Sequence, residues 1–341
     1  MKTLRIKSIN GNTSFQDIIL QVTEKVVRKY ILVSGINYQT GYSFIKYCND
    51  YKVKIEKRDK DSQIIIVDIL GGNITTYERG KKIKNTKYDT ISKEKNYNGK
   101  RFSYDLGKKN YITKQVIYNL ICEIGENEPN TLEDVSVFSH SYAFGPILAN
   151  SYETDMFDLD MRINDLTNKI FNFLHFKDAF TDTGIFKIWG CNMSLLLNNF
   201  IKQIMKNLNY KKDGTTKDEI IFIVKDNSFI DDKISDLIKD KFRSNVKNGK
   251  FEMTMLQIRK FLADRYYQNF AGLLSYYTDV SVLSALPGTY SSFSSPNYFR
   301  ISDKTKENIN IFEKYLQIQI GELNYGMYDK NTVSRLIKFS N

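Results

Sequence analysis

The pattern that most restricts this chain is the alternation of short β-branched runs with stretches of helical periodicity. Residues 63–70 read QIIIVDIL, apolar at nearly every position, as a strand covered on both faces must be. Runs of the same kind recur at 30–36, 135–139, 185–189, 219–224 and 280–285. Between them, apolar residues return at three- and four-residue spacing. One set is Phe44, Ile45, Cys48 and Tyr51, and a second is Val116, Ile117, Leu120, Ile121 and Ile124, which Gly125 is expected to end. A third is Met193, Leu196, Leu197, Phe200, Ile201, Ile204 and Leu208. Further helices are expected at 166–178, 231–245 and 253–275. Such alternation defines an α/β chain: a three-layer sandwich with a central, mostly parallel sheet of about six strands.

The 341 residues are enough for one large domain or two small ones. The pattern divides them into an N-terminal segment 1–28, an α/β domain 29–300 with a basic excursion at 79–109, and a C-terminal, mostly helical segment 301–341. The net charge of +11 is uneven. Residues 1–110 hold 23 Lys and Arg against 11 Asp and Glu, while the other 231 residues hold 27 against 28. A uniformly basic nucleic-acid binder is therefore not the reading. The excess gathers in 79–109, which carries 11 basic and 3 acidic residues without a sustained period, so it reads as a loop. A solvated loop is the first expectation there. The alternatives are a site of proteolytic activation and a polyanion site, with Tyr77, Tyr88, Tyr97 and Tyr104 interleaved for stacking.

The three cysteines, Cys48, Cys122 and Cys191, show no paired spacing, which suggests a reducing compartment where the chain is made. Cys48 and Cys122 fall on apolar helix faces and read as core. The opening residues contain no apolar stretch of signal-peptide length, and no run approaches a membrane span. The expectation is a cytoplasmic chain with no signal peptide, export by a non-classical route being left open.

The chain has only two histidines. His175 sits in an apolar helical stretch and reads as packing. His140 follows the strand VSVFS, and Cys191 follows the strand IFKIW and precedes a helix. Chemistry in open α/β sheets gathers at the carboxyl ends of strands. A thiol needs an adjacent base or a helix N-terminus to become a nucleophile at neutral pH. His140 lies 51 residues before Cys191, close to the spacing between the paired residues of caspases.

With VSVFSHS, FKIWGCN and a later LSALPGT, the sequence resembles the caspase-like cysteine peptidases, a group that includes caspases, metacaspases, clostripain, gingipain and the self-cleaving domains of large bacterial toxins. The resemblance spans about residues 30–290. It implies that His140 is the general base and Cys191 the nucleophile. Backbone N–H groups of Cys191 and of the loop after His140 would form an oxyanion hole. Ser141, Gly145, Gly190, Pro287, Gly288 and Thr289 would border a protein or peptide substrate. Ser141 stands where the family commonly has glycine, and Asn192 follows the cysteine. The reading is a cysteine endopeptidase acting through a thioester acyl-enzyme. Its alternative is a non-catalytic caspase-like interaction, effector or cargo protein that binds a polyanion through 79–109.

Asp155, Asp158, Asp160 and Asp165, beside Arg162, form an oxygen-rich stretch of the kind that holds calcium, without the glycine and terminal glutamate of an EF-hand. A solvated loop with an Asp–Arg pair is the first expectation, so no cofactor is assigned and calcium is the alternative. No phosphate-binding glycine loop, GxSxG or HExxH motif is present, and two distant histidines do not build a zinc site.

Overall fold

The apolar runs assemble into one sheet. The computed structural model describes residues 26–37, 40–91, 110–149, 159–192, 194–225, 245–247, 250–292 and 299–340. Its main strands are β1 (Lys29–Ser34), β2 (Gln63–Asp68), β3 (Asn73–Glu78), β4 (Lys81–Lys87), β5 (Leu132–Phe138), β6 (Phe180–Ile188), β7 (Ser281–Ser284) and β8 (Gly326–Tyr328). They form an eight-stranded sheet in the order β8-β7-β6-β5-β1-β2-β3-β4. Strands β2, β1, β5, β6 and β7 pair in parallel. The antiparallel strands β3 and β4 extend one edge, and β8 extends the other. This is the mixed α/β class expected, with eight strands rather than about six.

Helices cover both faces. α1 (Ile45–Arg58) turns Cys48, Tyr51 and Ile55 inward on one side. α2 (Lys114–Asn127) and α3 (Phe173–Ala179) lie on the other side, where Phe176 of α3 packs 6.2 Å from Phe186 of β6 and 6.5 Å from Tyr118 of α2. Gly125 does not end α2. It lies inside the helix, where an added Cβ would come 1.7 Å from the His175 carbonyl oxygen. The glycine admits the crossing backbone of α3 rather than breaking a helix.

Other sequence expectations shift for equally local reasons. The run at 219–224 forms a strand, Ile221–Lys225, but in a separate three-stranded antiparallel sheet with Asn245–Lys247 and Lys250–Thr254. Within that strand Phe222 and Val224 are buried while Ile221 and Ile223 are exposed, the alternation of a sheet covered on one face. The basic segment is not all loop. Its first part, β4, is a hairpin partner of β3 with Lys81, Lys82, Lys84 and Lys87 exposed. An edge strand covered on neither face leaves no hydrophobic period to read. Residues 92–109 lie outside the described residues, as does most of the helix expected at 231–245.

The helix expected at 166–178 is two, Ile163–Thr167 and α3. The helix expected over 253–275 is also two, Met255–Tyr267 and Phe270–Thr278, separated at Asn269, whose side chain caps the second through the Gly272 N–H at 2.9 Å. α4 (Leu195–Met205) ends before Leu208, which is fully exposed and not part of the apolar face. Within 301–341, β8 joins the main sheet and Lys330–Ser340 is helical.

The α1 side of the sheet carries an unusual polar centre. Alternation along β5 puts Asp134, Ser136 and Phe138 on that face, and along β6 it puts Lys187 there, with Trp189 continuing the same phase. Lys187 Nζ is 2.8 Å from Asp134 Oδ2 and 2.6 Å from Glu322 Oε1. It donates to Tyr51 Oη at 2.9 Å, and Tyr51 in turn donates to Asp134 at 2.9 Å. Ser136 Oγ fills the other Asp134 oxygen at 2.6 Å. Burial works against the lysine charge, but Asp134, Tyr51 and Glu322 outweigh it and raise the Lys187 pKa. Removing one partner of such a pair strands the other in a dry site, typically at 3–5 kcal/mol. Lys187→Met should therefore lower the unfolding free energy by about 3–5 kcal/mol in a urea titration. The double variant Lys187→Met/Asp134→Leu should recover most of it. Equal loss in both variants would show that the pair is not the unit that matters.

Candidate active site

The parallel core runs β2-β1-β5-β6-β7, so the chain switches direction across the sheet between β1 and β5. Ligand sites of open α/β sheets form outside the carboxyl ends of strands at such a switch. Three chain segments leave the sheet there. Ser34 of β1 is level with Phe138 of β5, and Val137 of β5 with Ile188 of β6. Past those positions come Asn37, His140 and Cys191.

Asn37 Oδ1 lies 3.1 Å from His140 Nε2. An amide oxygen only accepts, so this contact places the ring proton on Nε2 and orients the imidazole. The Phe44 ring, at the N-terminus of α1, meets the imidazole edge-on with centroids 5.7 Å apart. His140 is half-buried, and burial lowers its pKa to about 4. It begins a short hairpin, His140–Tyr142 against Gly145–Ile147, in which Gly145 is buried.

Gly190 joins the two strand ends. A Cβ on it would lie 2.3 Å from Ser141 Cβ, 2.8 Å from Ser141 N and 2.9 Å from the Ser139 carbonyl oxygen. Only glycine lets the turn before Cys191 press this closely on the turn around His140. Beneath both, Phe138 and Trp189 stack with centroids 6.2 Å apart and planes 11° apart. Phe299 closes against them at 4.9 and 5.3 Å.

Cys191 is 8% exposed. Its sulfur accepts the Ser291 N–H at 3.2 Å and donates toward the Ser291 carbonyl oxygen at 3.8 Å. Ser291 is fixed in turn: its hydroxyl donates to the Gly190 carbonyl at 2.6 Å and meets Tyr325 Oη at 2.8 Å. Burial raises the Cys191 pKa, and the hydrogen bonds from Ser291 offset only part of that. Thiol and imidazole are therefore both neutral near pH 7 in this conformation. Asn192 pairs with the LPGT segment: its N–H donates to the Thr289 carbonyl at 3.2 Å, and its own carbonyl accepts the Gly288 N–H at 2.8 Å.

The structure thus brings His140, Ser141, Gly145, Gly190 and Cys191 to one end of the sheet, with Pro287, Gly288 and Thr289 buried beside Asn192. Cys48 is fully buried, and Cys122 is only half-buried, donating to the Asn172 carbonyl at 3.4 Å. The acidic stretch takes a different role. Asp160 accepts the Ala149 N–H at 2.8 Å and pairs with Arg162 at 2.8 Å. Asp165 pairs with Lys114 at 2.6 Å and accepts from Tyr118 Oη at 3.1 Å. Both carboxylates are buried and serve as anchors of the fold. Asp155 and Asp158 lie outside the described residues, and among those described no cluster of metal-ligating side chains forms.

Asn37 and Ser291 escape the sequence reading. The position just past the first strand could have marked Asn37 by the strand-end rule. Nothing in the serine-rich run 290–295 singles out Ser291.

No protein-family model and no curated protein matches the chain. Among solved structures it is similar to a secreted C11 cysteine protease from Bacteroides thetaiotaomicron, with 12% identity over 88% of this chain and 90% of that one and a TM-score of 0.28. A likeness at that level assigns no residue a role. Among the described residues, no helix is long and apolar enough to cross a membrane.

The lowered His140 pKa has a direction in stability. Folding favours its neutral form, so its contribution is complete above about pH 6.5, declines as the pH falls, and levels off below about pH 4. An imidazole NMR titration should show no transition for His140 between pH 5 and 8. In Asn37→Asp, a carboxylate beside the ring should move the transition up by about 1–3 pH units. A wild-type transition near 6.5 would contradict the buried environment.

Proposed function

We propose that the protein is a cysteine peptidase in which Cys191 is the nucleophile and His140 the general base, with Asn37 orienting the imidazole. The observation that supports this reading is the adjacency of β1, β5 and β6 at the switch point, each followed within three residues by one of these side chains. Asn37 holds the Nε2 proton, which leaves Nδ1 as the basic nitrogen. Because thiol and imidazole both rest neutral, the proton moves as attack begins rather than beforehand. Cys191 Sγ adds to the substrate carbonyl as its proton passes to His140. The imidazolium then protonates the leaving amine, and a thioester remains. Water, deprotonated by His140, attacks the thioester and releases the acid and the thiol. Substrate entry requires the Ser291 N–H···S contact to open, since that segment covers the sulfur.

Cleavage of a casein or fluorogenic peptide panel tests the assignment. Cys191→Ala should abolish turnover while the circular dichroism spectrum stays that of the folded wild type. His140→Ala should lose about 10²–10⁴-fold in kcat. Cys48→Ala should keep the activity, provided it folds. Full activity in Cys191→Ala would end the proposal.

A further inference from the structure

A second concave site lies at the opposite end of the same strands. It is a cavity of about 430 Å³ whose lining includes Arg28, Arg58, Asp59, Glu133, Asp134 and Lys187. Arg28 just precedes β1 and Tyr30 lies at its start, Glu133 and Asp134 lie at the start of β5, and Arg58 ends α1 with Asp59 directly after it. The volume is within the range of small-molecule sites. Its walls come from the central strands and the helix that covers them, so the shape is set by the fold.

The charges lining it are not equally engaged. Asp134 is saturated by Lys187 at 2.8 Å, Tyr51 at 2.9 Å and Ser136 at 2.6 Å. Glu133 accepts from Thr181 and Thr183, each at 3.1 Å. The two guanidinium groups reach these carboxylates only at 4.0 Å: Arg58 to Asp134 and Arg28 to Glu133. That is too long for the paired N–H···O bonds a guanidinium makes with an oxyanion, near 2.7–2.9 Å. Both side chains remain more than half exposed, at 60% for Arg28 and 52% for Arg58. Arg58 lies over the Tyr30 ring, 5.5 Å from its centroid, which holds the head group at the cavity wall. The cavity therefore presents two forked donors whose nearest carboxylates are held by closer partners, with Arg58 also touching the Tyr30 hydroxyl.

We propose that this cavity is a binding site for a small oxyanion, a carboxylate or phosphate group of a low-molecular-weight ligand, held between Arg28 and Arg58. Lys187 on the floor adds positive potential but stays committed to Asp134 and Glu322. The carboxylates of Asp59, Glu133 and Asp134 restrict the ligand to one compact anionic group, because a polyanion would face them. The site is independent of the His140–Cys191 assignment and shares no side chain with it.

Isothermal titration of the full chain at constant ionic strength tests the site, with inorganic phosphate, acetate and chloride as separate probes. Saturable binding of phosphate or acetate, absent with chloride, is the expected result. Phosphate alone would identify a phosphorylated ligand, acetate alone a carboxylate, and both a general oxyanion site. Arg58→Gln should weaken binding at least about tenfold, and Arg28→Gln/Arg58→Gln should abolish it. Both side chains are surface-exposed, so unliganded melting temperatures should match wild type and exclude misfolding. As a comparison, Lys202→Gln/Lys206→Gln/Lys225→Gln alters the basic groove between α4 and the Ile221–Lys225 strand and should leave binding intact. No saturable binding up to about 10 mM of either anion, well beyond millimolar affinity, would overturn the proposal. So would binding that survives the double arginine variant or disappears in the triple lysine variant.

Discussion

A lysine and an aspartate face each other in the interior of the sheet, and the arrangement around them depends on that pair. Burying a charge is tolerable only with an opposite charge and hydrogen bonds in place. Lys187 and Asp134 meet this by drawing in Tyr51 from α1, Ser136 from β5 and Glu322 from the C-terminal part of the chain. Three elements far apart in sequence are tied to one point. An apolar core would tolerate a sliding helix more readily. This one fixes α1 over β5 and β6, because Tyr51 must reach both ions at once.

The same alternation carries the end of the sheet where His140 and Cys191 lie. On β5 the residues facing α1 are Asp134, Ser136 and Phe138, and His140 continues that phase. On β6, Lys187 is followed in phase by Trp189 and then Cys191. Charge, aromatic stack and candidate chemistry are successive layers of one face. Tyr51 links the first two layers, its ring 5.8 Å from Phe138 and 6.2 Å from Trp189. Packing below the strand ends thereby constrains where the two turns emerge, and Gly190 removes the last side chain that would hold them apart.

What the sequence disclosed follows from which physical signals are local. Doubly covered strands such as 63–68 announce themselves because every residue is apolar. The position of His140 and Cys191 at strand ends was legible for the same reason. The lysine-rich β4 was not, since an edge strand lacking a buried face has no hydrophobic period. Gly125 misled because a close helix crossing and a helix stop use the same residue. The buried Asp134 and Lys187 were hidden too: each looks like a surface residue until a partner 53 positions away in sequence arrives on the neighbouring strand. Asp160 and Asp165 illustrate the converse. The expected Asp–Arg pair is present, but the loop is not solvated: both carboxylates are buried, and their partners are Ala149, Arg162, Lys114 and Tyr118.

The exposed lysines of β4 give the uneven charge of the chain a physical meaning. Among the described residues the sheet ends in a seven-residue strand, the kind of edge that invites a second molecule to continue it. Two such edges brought together would juxtapose Lys81, Lys82, Lys84 and Lys87 with their own copies, and like charges across a ladder repel. The opposite edge, β8, has only three residues, too short to template much pairing. Like charges on such an edge disfavour its pairing with a second copy, and concentrated electrolyte weakens that effect by screening the repulsion.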